Sequence, residues 1–320
     1  MNNYYLGVDV GGTKAAYGLY DENGRLVYKT EHLSDTSLLP EEFFDLVIEQ
    51  IQKITVSNQV AMDQIKGIGI GMPSFIIYKE GYIVLTSNLT KIKNFAAKEY
   101  LEQNLSVPTF LDNDANIAAL AEHRLGAGRG QEHMLYCAVG TGIANGIIIN
   151  GNLFRGSYGW AGESGHALIT PDEDFMCGCE NNGCLMSHTS GSMIVRRVLR
   201  EIENGRKTIM TDMAGDCGGI SCKTILDAYG KNDELAVWAI DHMAKYLAVW
   251  LFNLYQTLNI NCFVLGGGLT NFGDVLFDKV FEQFNAYNHN EYPVYFKYAE
   301  MKENFGIRGA ALLAESETNI

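Results

Sequence analysis

The feature that most constrains this chain is a unit that occurs twice. Tyr4–Val10 reads as a short apolar strand, Gly11-Gly12-Thr13 interrupts it, and Ala15–Tyr20 reads as a second strand. Asn23-Gly24 is then a tight-turn signal before a third strand, Leu26–Thr30. Much later the order returns: strand Leu135–Val139, break Gly140-Thr141-Gly142, strand Ile143–Ile149, turn Asn150-Gly151, and the apolar pair Leu153-Phe154. In both copies the Asn-Gly follows the Gly-Thr break by about ten residues. Duplication of a strand–loop–strand–turn unit predicts two related domains facing one another; two unrelated hairpins are the alternative. The length, 320 residues, suits two domains of roughly 150 residues each.

Between and beyond the two copies, helices alternate with strands. Glu41–Lys53 has helical period, with Phe44, Val47, Ile48 and Ile51 on one face, and Ile65–Gly71 is a buried strand stopped by Met72-Pro73. A helix is expected over Asn94–Asn104, a strand over Pro108–Leu111, and a helix over Ala115–Leu125. Asp112-Asn113-Asp114 precede that last helix, where short polar side chains cap and the helix dipole favours anions. Asp233–Asn259 is one long helical pattern offering Trp238, Met243, Leu247, Trp250, Leu251 and Leu254 for burial. Cys262–Leu265 is a strand ending in Gly266-Gly267-Gly268, and Gly309–Glu315 is an Ala/Leu-rich terminal helix. Such alternation predicts an α/β architecture.

Charge narrows the partners. Lys and Arg number 24 against 38 Asp and Glu, a formal net charge of −14, with 47% hydrophobic residues. The chain should fold and stay soluble, and its surface repels nucleic-acid backbones and anionic lipid, although a locally basic cleft would escape that global argument. Met1-Asn2-Asn3-Tyr4-Tyr5 lacks the basic stretch and apolar core of a signal peptide, so a cytoplasmic location is expected. The longest uncharged stretch, Met134 to Phe154, is broken by Gly140, Gly142, Gly146, Gly151 and Asn145, Asn150, Asn152, which fits turns in a sheet better than a membrane span. Among seven cysteines, Cys177, Cys179 and Cys184 cluster tightly, which in a cytoplasmic chain suggests metal or free thiols, and the other four are expected to be buried thiols.

Gly7-Val-Asp-Val-Gly-Gly-Thr-Lys14 nearly spells a P-loop, but a P-loop needs Gly-Lys-Ser/Thr before a helix. Here the loop joins two strands. Its glycines would let the backbone and the Thr13 hydroxyl approach phosphates, with Asp9 placed for a magnesium ion or its water. One glycine turn is weak evidence; two, with Gly266-Gly267-Gly268 after a third strand, are stronger.

Gly7–Lys14, Asn113-Asp114-Ala115-Asn116, Gly140-Thr141-Gly142, Ala161-Gly162-Glu163-Ser164-Gly165-His166, the Cys177-Gly-Cys179…Gly183-Cys184 cluster and Leu265-Gly-Gly-Gly268 together resemble the ROK family of bacterial sugar kinases and repressors, in order over nearly the whole chain. The resemblance implies a two-lobed, actin-like ATPase (ribonuclease H-like) α/β fold with a duplicated βββαβαβα core. Residues 1–115 plus 300–320 would form the smaller N-terminal lobe, and 116–299 the larger lobe with a zinc motif and a dimerisation surface. ATP with Mg2+ would lie in the cleft, contacted by Asp9, Gly11, Gly12, Thr13, Lys14, Gly140, Thr141, Gly267 and Gly268.

Asp114 would be the general base that takes a proton from a hexose hydroxyl, the 6-hydroxyl of glucose or a related sugar, as it attacks the γ-phosphate. Without the resemblance, Asp112 and Asp114 read as helix caps, and Asp112 lies outside the family pattern. Asn113, Glu163 and His166 resemble the family's sugar-hydroxyl clamp, with Gly142 beside the substrate. His166-x10-Cys177-x-Cys179-x4-Cys184 supplies four ligands, enough for a closed, structural tetrahedral Zn2+ that would fix the loop carrying Glu163 and turn the other imidazole nitrogen toward the sugar. Cys217 and Cys222 lie outside that pattern.

Three departures bear on the substrate. Met186 stands where many family kinases have the Glu that holds the hydroxyl at the anomeric end, Ala144-Asn145 replaces Gly-Gly, and Pro73-Ser74 replaces a Pro-Gly turn. A β-glucoside, another hexose, an amino sugar or an N-acetylhexosamine is therefore an alternative substrate. A sugar-responsive regulator would need a DNA-binding segment on the order of 70–80 residues ahead of the kinase-like part. The first phosphate strand begins at Tyr4, so that reading is disfavoured, as is a catalytically silent sugar-binding or scaffolding protein given the intact Asp114.

Overall fold

The computed structural model describes residues 3–318; Met1, Asn2, Asn319 and Ile320, the ends of the expected N-terminal lobe and part of the segment read for a leader, lie outside the described residues. Among the described residues there are thirteen strands: β1 Tyr4–Val10, β2 Lys14–Asp21, β3 Leu26–Leu33, β4 Ile65–Met72, β5 Ser74–Ile77, β6 Tyr82–Thr86, β7 Lys93–Phe95, β8 Thr109–Asn113, β9 Met134–Val139, β10 Ile143–Ile149, β11 Asn152–Leu153, β12 Cys262–Gly266 and β13 Tyr295–Tyr298. One five-stranded sheet has the order β3-β2-β1-β4-β8, a second β11-β10-β9-β12-β13, and β5-β6-β7 form a small third sheet. In the first sheet β1, β2 and β3 run antiparallel, while β4 joins β1, and β8 joins β4, in parallel. The α/β class and the duplicated core hold, with β5-β6-β7 as an insertion in the first copy.

Alternation along β1 explains how the first sheet is covered. Leu6, Val8 and Val10 point to one side, into a core with Phe44, Val47 and Ile51 of the helix Pro40–Ser57, all buried as the helical period predicts. Tyr5, Gly7 and Asp9 point to the other, where the helix Phe305–Thr318 lies. The approach is close. A Cβ on Gly7 would sit 1.9 Å from the Ile307 carbonyl oxygen, and one on Gly69 of β4 would sit 1.8 Å from that of Ala310. Only glycine permits a helix backbone to lie directly on these strands.

The described residues divide into two compact units: those up to Tyr136 with Asn145–Gly162 and those from Ala299 on, and Cys137–Ala144 with Glu163–Tyr298. These units are drawn differently from the lobes the resemblance implies. The helix Asp114–Leu125 explains part of the difference, because Gly309 of the terminal helix and Gly146 of β10 both lie against it, where Cβ atoms would meet the Ile117 oxygen at 2.3 Å and the Ala119 Cβ at 2.2 Å.

In the second unit the helix Glu234–Leu258 is capped by the Asp233 carboxylate, which accepts from the Ala236 N–H, and ends at Asn259 with φ of 52°. Met243, Leu247, Trp250 and Leu251 are buried as expected, but Trp238 and Leu254 are only half-buried. This helix is long and apolar enough to cross a membrane by length and composition alone, and its buried face serves as core. The uncharged stretch from Met134 folds as strands with turns, as its glycines and asparagines predict.

Some local expectations need correction. Asn94 lies in β7 and the helix begins only at Ala97; β3 runs on to Leu33 and the terminal helix spans Phe305–Thr318. The four remaining cysteines are not uniformly buried: Cys137 and Cys262 are, Cys222 is half-buried, and Cys217 is exposed in a short turn, Cys217–Gly219.

Candidate active site

In the first unit the β1–β2 turn is closed by the Gly11 N–H donating to the Lys14 carbonyl at 2.9 Å. It is braced by Ser34, whose N–H donates to the Thr13 carbonyl (2.9 Å) and whose hydroxyl donates to the Gly11 carbonyl (2.8 Å). Gly12 faces Asn88, whose Cβ a Gly12 Cβ would meet at 2.8 Å. Thr13 and Lys14 are exposed, and the Lys14 ammonium pairs with Glu31 at 2.8 Å. Asp9 ends the face of β1 that carries Gly7, and its Oδ2 lies where a Gly306 Cβ would be only 2.1 Å away, beside the N-terminal turn of the last helix. Burial, with the negative charge of Asp114 added and Lys14 opposing, pushes the Asp9 carboxyl up to about 6.

The β8–helix junction sets the other carboxylate. Asn113, and neither aspartate, is the N-cap: its Oδ1 accepts from the Ala115 N–H at 2.8 Å. Its amide donates to the Ser74 carbonyl at 3.3 Å, so the two ends of the side chain are fixed in opposite senses. Asp114 is the first helical residue and solvent reaches it. Protein beyond its immediate neighbours still screens it from bulk water, and this desolvation raises its pKa above the usual carboxylate range, against backbone N–H groups that lower it. Accessibility lets the group touch a ligand; the screening makes it a better proton acceptor than an ordinary carboxylate.

Asp112, read as a cap and outside the motif, does something else. It is buried and ion-paired with Arg155, Nε to Oδ2 at 2.7 Å, while its Oδ1 accepts from the Asn113 N–H (2.8 Å) and the Asn116 amide (2.7 Å). The Arg155 guanidinium stacks 3.6 Å above the Tyr78 ring centroid and approaches Glu317 at 3.6 Å. This network underlies the backbone that presents Asn113 and Asp114, and sequence reading missed it. The one signal was a single arginine directly after the apolar pair Leu153-Phe154.

In the second unit the Gly140-Thr141-Gly142 turn is tied to the helix Gly191–Glu203: the Gly191 N–H donates to the Gly140 carbonyl at 2.8 Å, and the Ser192 hydroxyl to that of Thr141 at 3.1 Å. Thr141 and Gly142 are exposed, and a Cβ on Gly142 would meet only the Met186 sulfur, at 3.8 Å. Gly267 has φ of +98° and no room for a Cβ, which would lie 2.5 Å from the Val139 carbonyl, whereas Gly268 opens onto free space. Such turns can present backbone N–H groups to phosphate oxygens.

Glu163 is half-buried and precedes the short turn Ser164–His166, closed by the His166 N–H donating to the Glu163 carbonyl at 3.1 Å. His166, Cys177, Cys179 and Cys184 place their ligand atoms within 4.8 Å of one another, as the spacing predicts. Tetrahedral Zn2+ with bonds of ~2.3 Å to sulfur and ~2.0 Å to nitrogen separates its ligands by roughly 3.5–3.8 Å. His166 Nδ1 lies 3.7 Å from the Cys177 sulfur, and the Cys179 and Cys184 sulfurs are 3.5 Å apart, so the set fits that ion and leaves Nε2 of His166 on the other side of the ring. Burial lowers the His166 pKa, favouring the neutral ring a metal needs.

The ligand loop is pinned from outside. Glu173 pairs with Arg197 at 2.5 Å and with the buried His188 at 3.2 Å, and Arg197 lies 4.0 Å over Phe175. His188 Nδ1 meets His242 Nε2 at 3.1 Å, and burial holds these imidazoles down to about 4 and about 3. Neither histidine stood out in the sequence.

A model described as the ROK family matches residues 5–317. The glucokinase of Halalkalibacterium halodurans is 31% identical over 320 residues, covering 99% of this chain and 97% of that one. The crystal structure of a ROK hexokinase from Thermus thermophilus matches with a TM-score of 0.85 at 29% identity over 99% of each chain. That of a ROK family glucokinase from Streptomyces griseus, in complex with glucose and AMPPNP, matches with a TM-score of 0.77 at 27% identity over 98% of this chain and 100% of that one. With these matches running from end to end and the motifs in their order, the chain belongs to the ROK family.

Proposed function

We propose that this protein is an ATP-dependent sugar kinase that transfers the γ-phosphate of ATP to a hexose hydroxyl, the 6-hydroxyl of glucose or a close relative. The observation that carries the reading is Asp114: a solvent-reached carboxylate on the first turn of a helix, with its pKa raised. The similarity to a hexokinase and to glucokinases over whole chains supports the same reaction.

Asp114 accepts the hydroxyl proton as the sugar oxygen attacks phosphorus; the new O–P bond forms while the bond to the β-phosphate bridging oxygen breaks, and ADP leaves with that electron pair. Asn113, Glu163, His166 and Gly142 position the sugar, and the Asn113 side chain is prepared for this by its anchors to Ala115 and Ser74. Thr13, Lys14 and the glycines at 11, 12, 140, 267 and 268, with Thr141, hold the nucleotide phosphates. Asp9 would hold Mg2+ or its water, and a divalent cation there would offset the burial, and the added negative charge of Asp114, that raise its pKa. That ion supplies charge neutralisation of the phosphates. His166 and the three cysteines hold a structural Zn2+ that ties down the loop following Glu163.

The resemblance also supports a cytoplasmic homodimer, with lobes of residues 1–115 plus 300–320 and 116–299. Met186 favours a second reading, a kinase for sugars substituted at the anomeric carbon or N-acylated, because an apolar side chain stands beside Gly142 in place of a carboxylate. A coupled ADP-release assay over glucose, mannose, N-acetylglucosamine, N-acetylmannosamine and β-glucosides tests both. ADP release with none of them sinks the kinase reading, and strict need for a free anomeric hydroxyl sinks the second.

A further inference from the structure

An aromatic surface stands beside one of the residues assigned to the sugar. Phe75 and Trp160 meet edge to face at 5.6 Å, and Tyr158 lies 5.6 Å from Trp160. Tyr158 is 63% and Trp160 38% exposed, unusual for large rings joined in one cluster. The cluster is nevertheless rigid. The Trp160 indole N–H donates to the Ile76 carbonyl at 3.1 Å, the Tyr78 N–H donates to the Tyr158 carbonyl at 3.3 Å, and Gly159, at φ of +110°, has no room for a side chain.

Its position follows from the backbone. Phe75 succeeds Ser74, whose carbonyl accepts the Asn113 amide, and Trp160 is followed by Ala161-Gly162-Glu163. The platform is thus one step from Asn113 through Ser74, and in the sequence Trp160 precedes Glu163 by three residues. Neither Tyr158 nor Trp160 is among the polar residues assigned above to the hydroxyls of a hexose.

We propose that Phe75, Tyr158 and Trp160 form a stacking platform for the second ring of a glycoside substrate, the apolar face of a second sugar or of an aryl aglycone. The inference rests on the sugar-kinase reading and narrows its substrate class. Two rigid amphipathic rings offer contact area at little cost in conformational entropy, and the fixed indole is prepared for it before binding. Met186 agrees, since a glycoside carries no free anomeric hydroxyl for a carboxylate to hold.

The test compares kcat/KM for cellobiose, 4-nitrophenyl β-glucoside, methyl β-glucoside and glucose in the full-length enzyme and in Trp160→Ala, Tyr158→Ala and Trp160→Phe. In the wild type the two-ring substrates should exceed methyl β-glucoside. Trp160→Ala should lower the ratio of two-ring substrate to glucose about tenfold, Tyr158→Ala about threefold, and Trp160→Phe should recover part of the loss. Preference for the disaccharide over the aryl glucoside, or the reverse, identifies which ring the platform takes. Phosphorylation of glucose without the glycosides, or equal loss on all four sugars in the variants, overturns the proposal and leaves the kinase reading standing. So does a change of sedimentation mass in Tyr158→Ala with selectivity intact, which would give the surface to a second copy of the chain. If no sugar is phosphorylated, the kinase reading fails, and fluorescence decides the platform separately: cellobiose must still quench the wild type and fail to quench Trp160→Ala.

Discussion

The two five-stranded sheets share one strand order and differ in what stands at their strand ends. Asp9-Val10-Gly11 at the end of β1 corresponds to Ala138-Val139-Gly140 at the end of β9; Asn113-Asp114 after β8 corresponds to Tyr298-Ala299 after β13. The edges differ as well: β2 and β3 are 8 residues each, whereas β11 is 2. The first copy thus carries carboxylates, Asp9 and Asp114, at strand ends where the second has none, while both copies have a glycine turn between their first two strands and the second adds Gly267-Gly268 and a loop of candidate metal ligands. A duplicated fold can divide part of its chemistry, keeping strand-end carboxylates in one copy while both keep a glycine turn.

That division can be broken at four points. The largest effect is expected for Asp114→Asn, which keeps the shape but cannot take a proton: kcat should fall about 10²–10⁴-fold with sugar binding retained. Near-normal turnover would mean the carboxylates of the first copy do not carry the proton. Arg155→Met should follow, because it leaves Asp112 charged and buried; a loss of about 3–5 kcal/mol in urea unfolding is expected, with kcat reduced through the shifted Asn113-Asp114 backbone. An unchanged midpoint would show the pair to be energetically idle.

In the second copy, Cys179→Ser should release about one zinc per chain and lower the melting temperature, with the first sheet's unfolding little affected. Metal content equal to wild type would remove the ion from the account. The smallest effect concerns Asp9, whose folded pKa is raised from 3.8 to about 6. A raised carboxylate costs stability progressively as pH climbs from the unfolded value through the folded one, so the penalty is complete above about pH 6 and absent well below 4. Asp9→Asn should therefore stabilise the ligand-free protein by about 1–2 kcal/mol at pH 7.5, discounted for partial exposure, with the gap closing near pH 4. Destabilisation at pH 7.5 would contradict the electrostatic picture.

What could be read from the sequence was local. The alternation of β1, the Asn23-Gly24 turn and the helix face of Phe44, Val47, Ile48 and Ile51 each lie within one element, and the His-Cys cluster lies within one loop. The hairpin of β5 and β6 went unseen because Pro73 and Gly81 read as breakers around a run too short for either period. The Asp112–Arg155 pair and the His188–His242 contact join positions 43 and 54 residues apart, and no spacing rule announces a partner at that distance. From the sequence alone Asp112 consequently reads as a cap, whereas the cap is Asn113 and Asp112 supports it.

The helix Phe305–Thr318 lying on Gly7 and Gly69 has a consequence for how the protein is made. Its contacts with β1 close a loop on the order of 300 residues, so the face of the first sheet that bears Asp9 stays uncovered while almost everything between is synthesised. A nascent chain therefore carries an unfinished, apolar sheet surface through most of translation, a natural substrate for chaperones. The Asp9 end of β1 acquires its neighbour Gly306 only when that late segment docks, which makes docking of the last helix the step that completes this corner of the first sheet.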